Sequence, residues 1–157
     1  MFKEMRRKDR EIKIDEVQEI LENGEYGVLA STSENGYPYT VPLNYAYHNN
    51  KIYIHSADQG QKLENFKNDA KVSFCVVDQT EVLPAEFSTN YRSVIAFGEA
   101  KFVDNEELKK EALVRLIKKY SSEHIKPGME YINKAIGVTT VVEISIKHIT
   151  GKARKSR

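Results

Sequence analysis

The chain has little cysteine and no long apolar run, and both absences restrict the class of protein. Cys75 is the one cysteine among 157 residues, so an internal disulfide and a cysteine-based metal cluster are excluded. No apolar run approaches the roughly 20 residues of a membrane-spanning helix. The opening Met1–Lys8 is too charged for a secretory signal and lacks its apolar region. We therefore expect one domain over residues 1–157, without a membrane partner and located in the cytoplasm.

An excess of one charge is also missing. The net charge of +1 provides no global field that would attract nucleic acid. Two local basic runs, residues 6–8 and residues 152–157, are expected to be short solvated tails. The acidic residues Asp78, Glu81 and Glu86 have no histidine at metal-ligand spacing, so no metal site is predicted. Neither a GxGxxG nor a GxxxxGK[ST] loop occurs, which removes the main support for a Rossmann or P-loop protein.

Alternating apolar residues predict more strands than helices. The predicted strands cover residues 26–32, 37–47, 51–56, 71–78, 92–103 and 138–149. Helices are expected after Asp15, over 60–68, after Asp104 and near 127–135, with Asp15 and Asp104 as N-terminal caps. Residues 79–90 lack periodicity and are predicted to be a loop, one that could cover an active site. Regular βαβ alternation is absent, so a mainly antiparallel β fold with added helices, closed into a small barrel, is favoured.

Two details of the predicted strands bear on function. Pro42 interrupts the strand over 37–47, and because proline donates no backbone hydrogen bond it marks an edge, a bulge or backbone open to a ligand. Cys75 lies in the middle of an apolar strand and is assigned to the core.

The segment Ile52–Phe66 predicts an anion site. A strand ends at His55 and Ser56, the chain turns through Gly60, and a helix carrying Lys62 begins. Hydroxyl and imidazole groups, free helix amides and one ammonium then converge on one point, which suits a phosphate. An ordinary strand-to-helix connection with a solvated lysine is the alternative.

Four segments together resemble the pyridoxamine 5'-phosphate oxidase-like FMN-binding split barrels, and among them the nitroimidazole-resistance type most. These segments are Gly36–Asn44, Ile52–Phe66, Tyr91–Gly98 and Ile149–Lys152. The resemblance implies a six-stranded antiparallel split β-barrel that forms a homodimer with FMN sites at the interface. Gly60-Gln61-Lys62 replaces the Arg-Lys pair of the oxidase, and the chain end does not reproduce its Arg-x-His motif, so vitamin B6 oxidation is disfavoured.

The resemblance also assigns roles to residues. Lys62, Ser56 and His55 would bind the FMN phosphate, and the polar pair Arg92 and Ser93 would lie near the flavin. The segment Val41, Pro42, Leu43 and Asn44 would lie against the isoalloxazine ring. His55 could also donate a proton during reduction, since its unperturbed pKa is about 6.5.

Three functions stay open at this point. The first is an FMN-dependent oxidoreductase that reduces small electron-poor aromatics, with NAD(P)H as a plausible electron donor. The second is a flavin- or haem-binding module without turnover, in which His55 or His148 would ligate haem. The third uses the barrel, its basic tail and the tyrosines at 37, 39, 45 and 47 to bind nucleic acid, and the near-neutral charge argues against it.

Overall fold

Seven strands and four helices make up the computed structural model, which describes residues 1–155. Arg157 of the predicted basic tail lies outside the described residues. The strands are β1 (Gly27–Thr32), β2 (Pro38–Leu43), β3 (Ala46–His48), β4 (Lys51–Ser56), β5 (Lys71–Leu83), β6 (Ser88–Phe102) and β7 (Thr140–Arg154). The helices are α1 (Ile14–Asn23), α2 (Gln61–Asn68), α3 (Glu106–Tyr120) and α4 (Ile125–Ala135). The predicted class, antiparallel β with added helices, is confirmed.

One antiparallel sheet contains all seven strands, in the order β2-β1-β5-β6-β7-β4-β3. The two edge strands, β2 and β3, are consecutive in the chain, and only Asn44 and Tyr45 separate them. The three steps from Leu43 to Ala46 span at most about 11 Å, so the sheet has to curl until its edges nearly meet. No ladder joins β2 to β3 within residues 1–155, and the barrel is therefore split along this line.

The break at Asn44 and Tyr45 also explains why seven strands are present instead of the expected six. The sequence predicts one strand over 37–47, but Tyr45 leaves the ladder there and its side chain is completely buried. The Tyr45 amide instead donates to the hydroxyl of Tyr120 at 3.1 Å, and that hydroxyl donates to the carbonyl of Glu25 at 2.7 Å. The Lys119 ammonium lies 3.7 Å from the centre of the Tyr45 ring. Helix α3 thus holds the link between the edges.

Two apolar cores lie on opposite sides of the curled sheet. The barrel interior contains the larger core, which includes Leu29, Ile54, Phe74, Val76, Val94 and Ile144. A smaller core lies outside the barrel, where Leu113 and Leu116 of α3 and Ile132 of α4 pack on Ala46 and Val141. The helical hairpin α3–α4 therefore covers the outer face of β3, β4 and β7 near their ends.

The predicted loop over residues 79–90 is wrong, because these residues extend β5 and β6 into a hairpin arm. The pairs Glu81↔Asn90, Val82↔Thr89 and Leu83↔Ser88 continue the ladder beyond an irregularity after Asp78. The turn is Pro84–Glu86, followed by Phe87 in the left-handed conformation. Most of the arm is exposed, so it lacks the one-sided burial that produces alternation.

Other local predictions need correction. Helix α1 has Lys13 rather than Asp15 at its cap position, and α3 is capped by Asn105, whose Oδ1 accepts from the Leu108 amide at 3.0 Å. Cys75 is not in the core. It alternates with Phe74 and Val76, which face inward, so its half-buried thiol lies on the outer face, where partial burial raises its pKa.

We expect Tyr120→Phe to destabilise the fold by about 1–3 kcal/mol, because the buried Tyr45 amide loses its hydrogen-bond acceptor. Chemical denaturation followed by circular dichroism measures this loss. Tyr131→Phe is the matched control, since Tyr131 is 72% exposed and forms no hydrogen bond with the described residues. Equal stabilities for the two variants would contradict the role of Tyr120.

Candidate functional site

The N-terminus of α2 is fixed against β1. Asn65, although buried, donates from Nδ2 to the hydroxyl of Ser31 at 2.9 Å, and Gln61 donates from Nε2 to that of Ser33 at 3.1 Å. Leu63 and Phe66 anchor the same helix in the barrel core. The start of α2 therefore has a defined position a short turn after the end of β4.

That helix start presents free donors. Gly60 precedes it with φ of +141°, a conformation that side chains disfavour, and no side chain caps the helix. The amides of Leu63 and Glu64 return to the Gly60 carbonyl, whereas those of Gln61 and Lys62 find no acceptor in residues 1–155. The Lys62 ammonium likewise forms no ion pair in this part of the chain. These groups fit an anion such as a phosphate, because the helix dipole adds to their positive charge.

His55 ends β4 beside this anion site. Partial burial lowers the pKa of its imidazole below 6.5, and the charge of Lys62 lowers it further. The side chain is therefore neutral at neutral pH, with one nitrogen able to donate a hydrogen bond and the other able to accept one. Ser56, the next residue, is half-buried and pairs in the sheet with Thr140.

A pocket of about 210 Å³ brings His55 together with Asn44. Its remaining walls come from α3, α4 and the segment that follows α4, including Leu116, Tyr120 and Ile132. In the sequence, helical spacing makes an apolar stripe of Leu113, Leu116, Ile117 and Tyr120 and does not indicate a pocket. The stripe was the available signal, but its contact with β4 depends on tertiary packing.

The predicted flavin segment on β2 lies at the sheet edge. Pro42 is exposed there, as the edge interpretation of this proline requires, while the side chains of Val41 and Leu43 pack against the barrel core. Because β2 pairs with β1 alone among residues 1–155, the backbone groups on its other side are open to a ligand.

Arg92 and Ser93 lie apart from His55 within one chain. Ser93 pairs with Lys152 of β7 and His55 with Val141, so about 35 Å of strand contour separates them. The guanidinium of Arg92 is buried and bonded to the carboxylates of Asp78 and Glu19. The structure therefore brings Asn44, His55 and Lys62 together but not Ser93, and it places Arg92 in an ion-pair network.

The model of the pyridoxamine 5'-phosphate oxidase family matches residues 13–153, which include every element from α1 to β7. The chain belongs to this family. The predicted resemblance is thus confirmed, and the curled sheet is the split barrel of the family. A search of curated proteins finds no match.

Solved structures agree with the fold. A protein proposed to confer 5-nitroimidazole antibiotic resistance, from Bacteroides thetaiotaomicron, is 23% identical with a TM-score of 0.78, over 91% of this chain and 86% of that one. A conserved hypothetical protein from Mycobacterium tuberculosis is 19% identical with a TM-score of 0.83, over 96% and 90%. The flavocytochrome Anf3 from Azotobacter vinelandii is 20% identical with a TM-score of 0.79, over 98% and 73%. The chain therefore shares its fold with a flavin protein.

Within residues 1–155, no helix is both long and apolar enough to cross a membrane.

We expect the pKa of His55 to rise in Lys62→Ala, because a neighbouring positive charge is removed, while burial still keeps it below 6.5. NMR titration of the imidazole measures this shift, with Lys67→Ala on the exposed side of α2 as the control. An unchanged pKa in Lys62→Ala would show that the two groups do not interact.

The lowered pKa of His55 also predicts that the free energy of unfolding decreases as the pH falls below about 6.5, since the unfolded chain then binds the proton more readily than the folded protein.

Proposed function

We propose that this protein is an FMN-dependent oxidoreductase. The observation that carries the proposal is the fixed start of α2, where the amides of Gln61 and Lys62 and the Lys62 ammonium have no partner within residues 1–155. FMN ends in a phosphate, and this donor set suits a phosphate dianion. The family match and the flavocytochrome neighbour support a flavin as the rest of the ligand.

Residues of this chain then have separate roles around the cofactor. Lys62, the α2 amides and Ser56 would hold the phosphate, and the open backbone of β2 and the amide of Asn44 would be available to the ring. The bound flavin supplies the electron or hydride transfer, which no side chain of this site can perform. His55, neutral at neutral pH, holds a proton at one ring nitrogen close to this site.

The proposed substrate is a small electron-poor aromatic compound, with NAD(P)H as the electron donor. The nitroimidazole-resistance neighbour supports this substrate class. The experiment mixes the FMN-loaded protein with NADH or NADPH and a nitroimidazole and follows flavin and nitro absorbance. We expect the donor to bleach the flavin and the nitro compound to restore its colour. A flavin that binds but is never reduced would favour the non-catalytic binding module.

A homodimer follows from the same proposal. An apolar outer patch, consisting of Val77, Ile95 and Phe97, has exposed fractions of 54%, 43% and 38% on neighbouring positions of β5 and β6. The hairpin arm adds Phe87, which is 97% exposed. Ser93 lies on the same face as Ile95, so a second copy packed here would bring it toward a cofactor held by the first copy. Such a dimer gives Ser93 the role that it cannot have within one chain.

Haem at His55 is disfavoured by size. The flavocytochrome neighbour motivates the question, but the pocket beside His55 holds only about 210 Å³. Pockets for drug-sized ligands usually measure about 300–1,000 Å³, so this pocket is smaller than a haem requires. A Soret band in the purified protein would contradict this conclusion.

We expect Lys62→Ala to weaken FMN binding roughly ten- to a hundredfold, because a hydrogen bond to a charged group contributes about 1.5–3 kcal/mol. Fluorescence titration with FMN measures the change, and Lys67→Ala is the control lysine in the same helix. Riboflavin, which lacks the phosphate, should bind both variants like the wild type. An FMN affinity that survives Lys62→Ala would remove Lys62 from the phosphate site.

We expect Ile95→Glu to convert the dimer to a monomer, since it places a charge in the centre of the apolar outer patch. Sedimentation velocity gives the molecular mass. Ile14→Glu is the control, because Ile14 is an isoleucine of α1 with 55% exposure and is not one of the patch residues. A wild-type monomer, or an Ile95→Glu dimer, would contradict the proposed interface.

A further inference from the structure

The pocket beside His55 has walls of different origin. The apolar faces of α3 and α4 form one side, with Leu116 and Ile132 at the base, and the end of β4 forms the other. The two helices are held close together at Gly128, where an added Cβ would lie 2.7 Å from the Ile117 side chain. This close contact fixes the positions of α3 and α4 relative to each other, and with them the apolar side of the pocket.

The lining contains no residue with a formal charge among the described part of the chain, apart from the titratable His55. Two of its polar groups are already engaged. The Tyr120 hydroxyl donates to Glu25, and the Thr139 hydroxyl donates to the carbonyl of Ala135 at 2.8 Å.

Four further polar side chains in the lining have no hydrogen-bond partner within residues 1–155. They are the amide of Asn44, the imidazole of His55 and the hydroxyls of Ser121 and Tyr131. An apolar pocket with a few available polar groups is the usual design of a small-molecule site. The apolar wall would bind a ring, and these polar groups would orient one substituent.

Size restricts the ligand further. A cavity of about 150 Å³ lined by apolar side chains holds one benzene molecule. The present pocket, at about 210 Å³, has room for one ring with one small polar substituent. We infer that the α3–α4 pocket is a binding site for neutral, single-ring aromatic compounds that carry one hydrogen-bond-accepting substituent.

His55 lines the pocket and also lies beside the anion site, so the two sites adjoin. If the anion site holds FMN, a ring in the pocket is a substrate placed beside His55, and this role rests on the proposed function. Ring binding itself does not depend on flavin, and the two claims can be tested separately.

Nitrobenzene and benzoate are the probes, because they have nearly the same shape and differ in charge. We would titrate each into flavin-free protein labelled at its methyl groups and record NMR shifts of Leu113, Leu116, Ile117 and Ile132. Nitrobenzene is expected to shift these methyl groups and to bind more tightly than benzoate. Tighter binding of benzoate, or no shift with nitrobenzene, would overturn the proposal.

Ala135→Phe tests the location, since a phenyl group at this half-buried lining position fills the pocket. We expect it to weaken nitrobenzene binding about tenfold or more, a loss of at least about 1.4 kcal/mol. Asn133→Phe, on the exposed side of α4, is the matched control and should bind like the wild type. If Ala135→Phe does not fold, Ala135→Leu fills less of the pocket and replaces it. Unchanged affinity in the folded variant would overturn the location.

FMN titration of the same variants separates the two claims. Ala135→Phe should bind FMN as tightly as the wild type, while its affinity for nitrobenzene should fall. A wild-type protein that binds nitrobenzene in the pocket but does not bind FMN would contradict the flavin function and still support the ring-binding site.

Discussion

The link of Asn44 and Tyr45 between the two edges of the sheet constrains the rest of the structure. A two-residue connection cannot cross a flat seven-stranded sheet, so the sheet has to curl. The curl creates an enclosed core, and it brings Asn44 to the same pocket as His55. Helix α3 then stabilises the link through Tyr120 and provides one wall of that pocket. The same short segment therefore determines both the closure of the barrel and the position of the candidate site.

The local parts of the site could be predicted from the sequence. The end of β4, the turn at Gly60 and the start of α2 lie within a few residues of one another, and each has a local signal in residue type or periodicity. The edge position of Pro42 could also be predicted, because the missing amide hydrogen restricts where proline can occur in a sheet. The sequence could not identify the capping residue of α3, since Asp104 and Asn105 are adjacent residues with similar capping ability.

The remaining parts depend on contacts between distant segments. Leu116 and His55 lie on separate elements, and no periodicity in α3 indicates that one part of its apolar face borders a pocket. The hairpin arm was missed for a different physical reason. Alternation arises when one face of a strand is buried, and most of residues 79–90 is exposed. Arg92 was read as a flavin neighbour from the family resemblance, whereas the sequence carries no signal for its bonds to Asp78 and Glu19.

The position of β7 within the sheet has a consequence for biosynthesis. β7 is the last strand to leave the ribosome, yet it lies between β6 and β4 and pairs with both. Until residues 140–154 emerge, β3 and β4 have no neighbour that connects them to β6, and the nascent chain consists of two unjoined pieces of sheet. Pairings of such long sequence separation form slowly. We expect the barrel to close only after residues 140–154 have left the ribosome, so the strand edges exposed until then are a natural target for chaperones during synthesis.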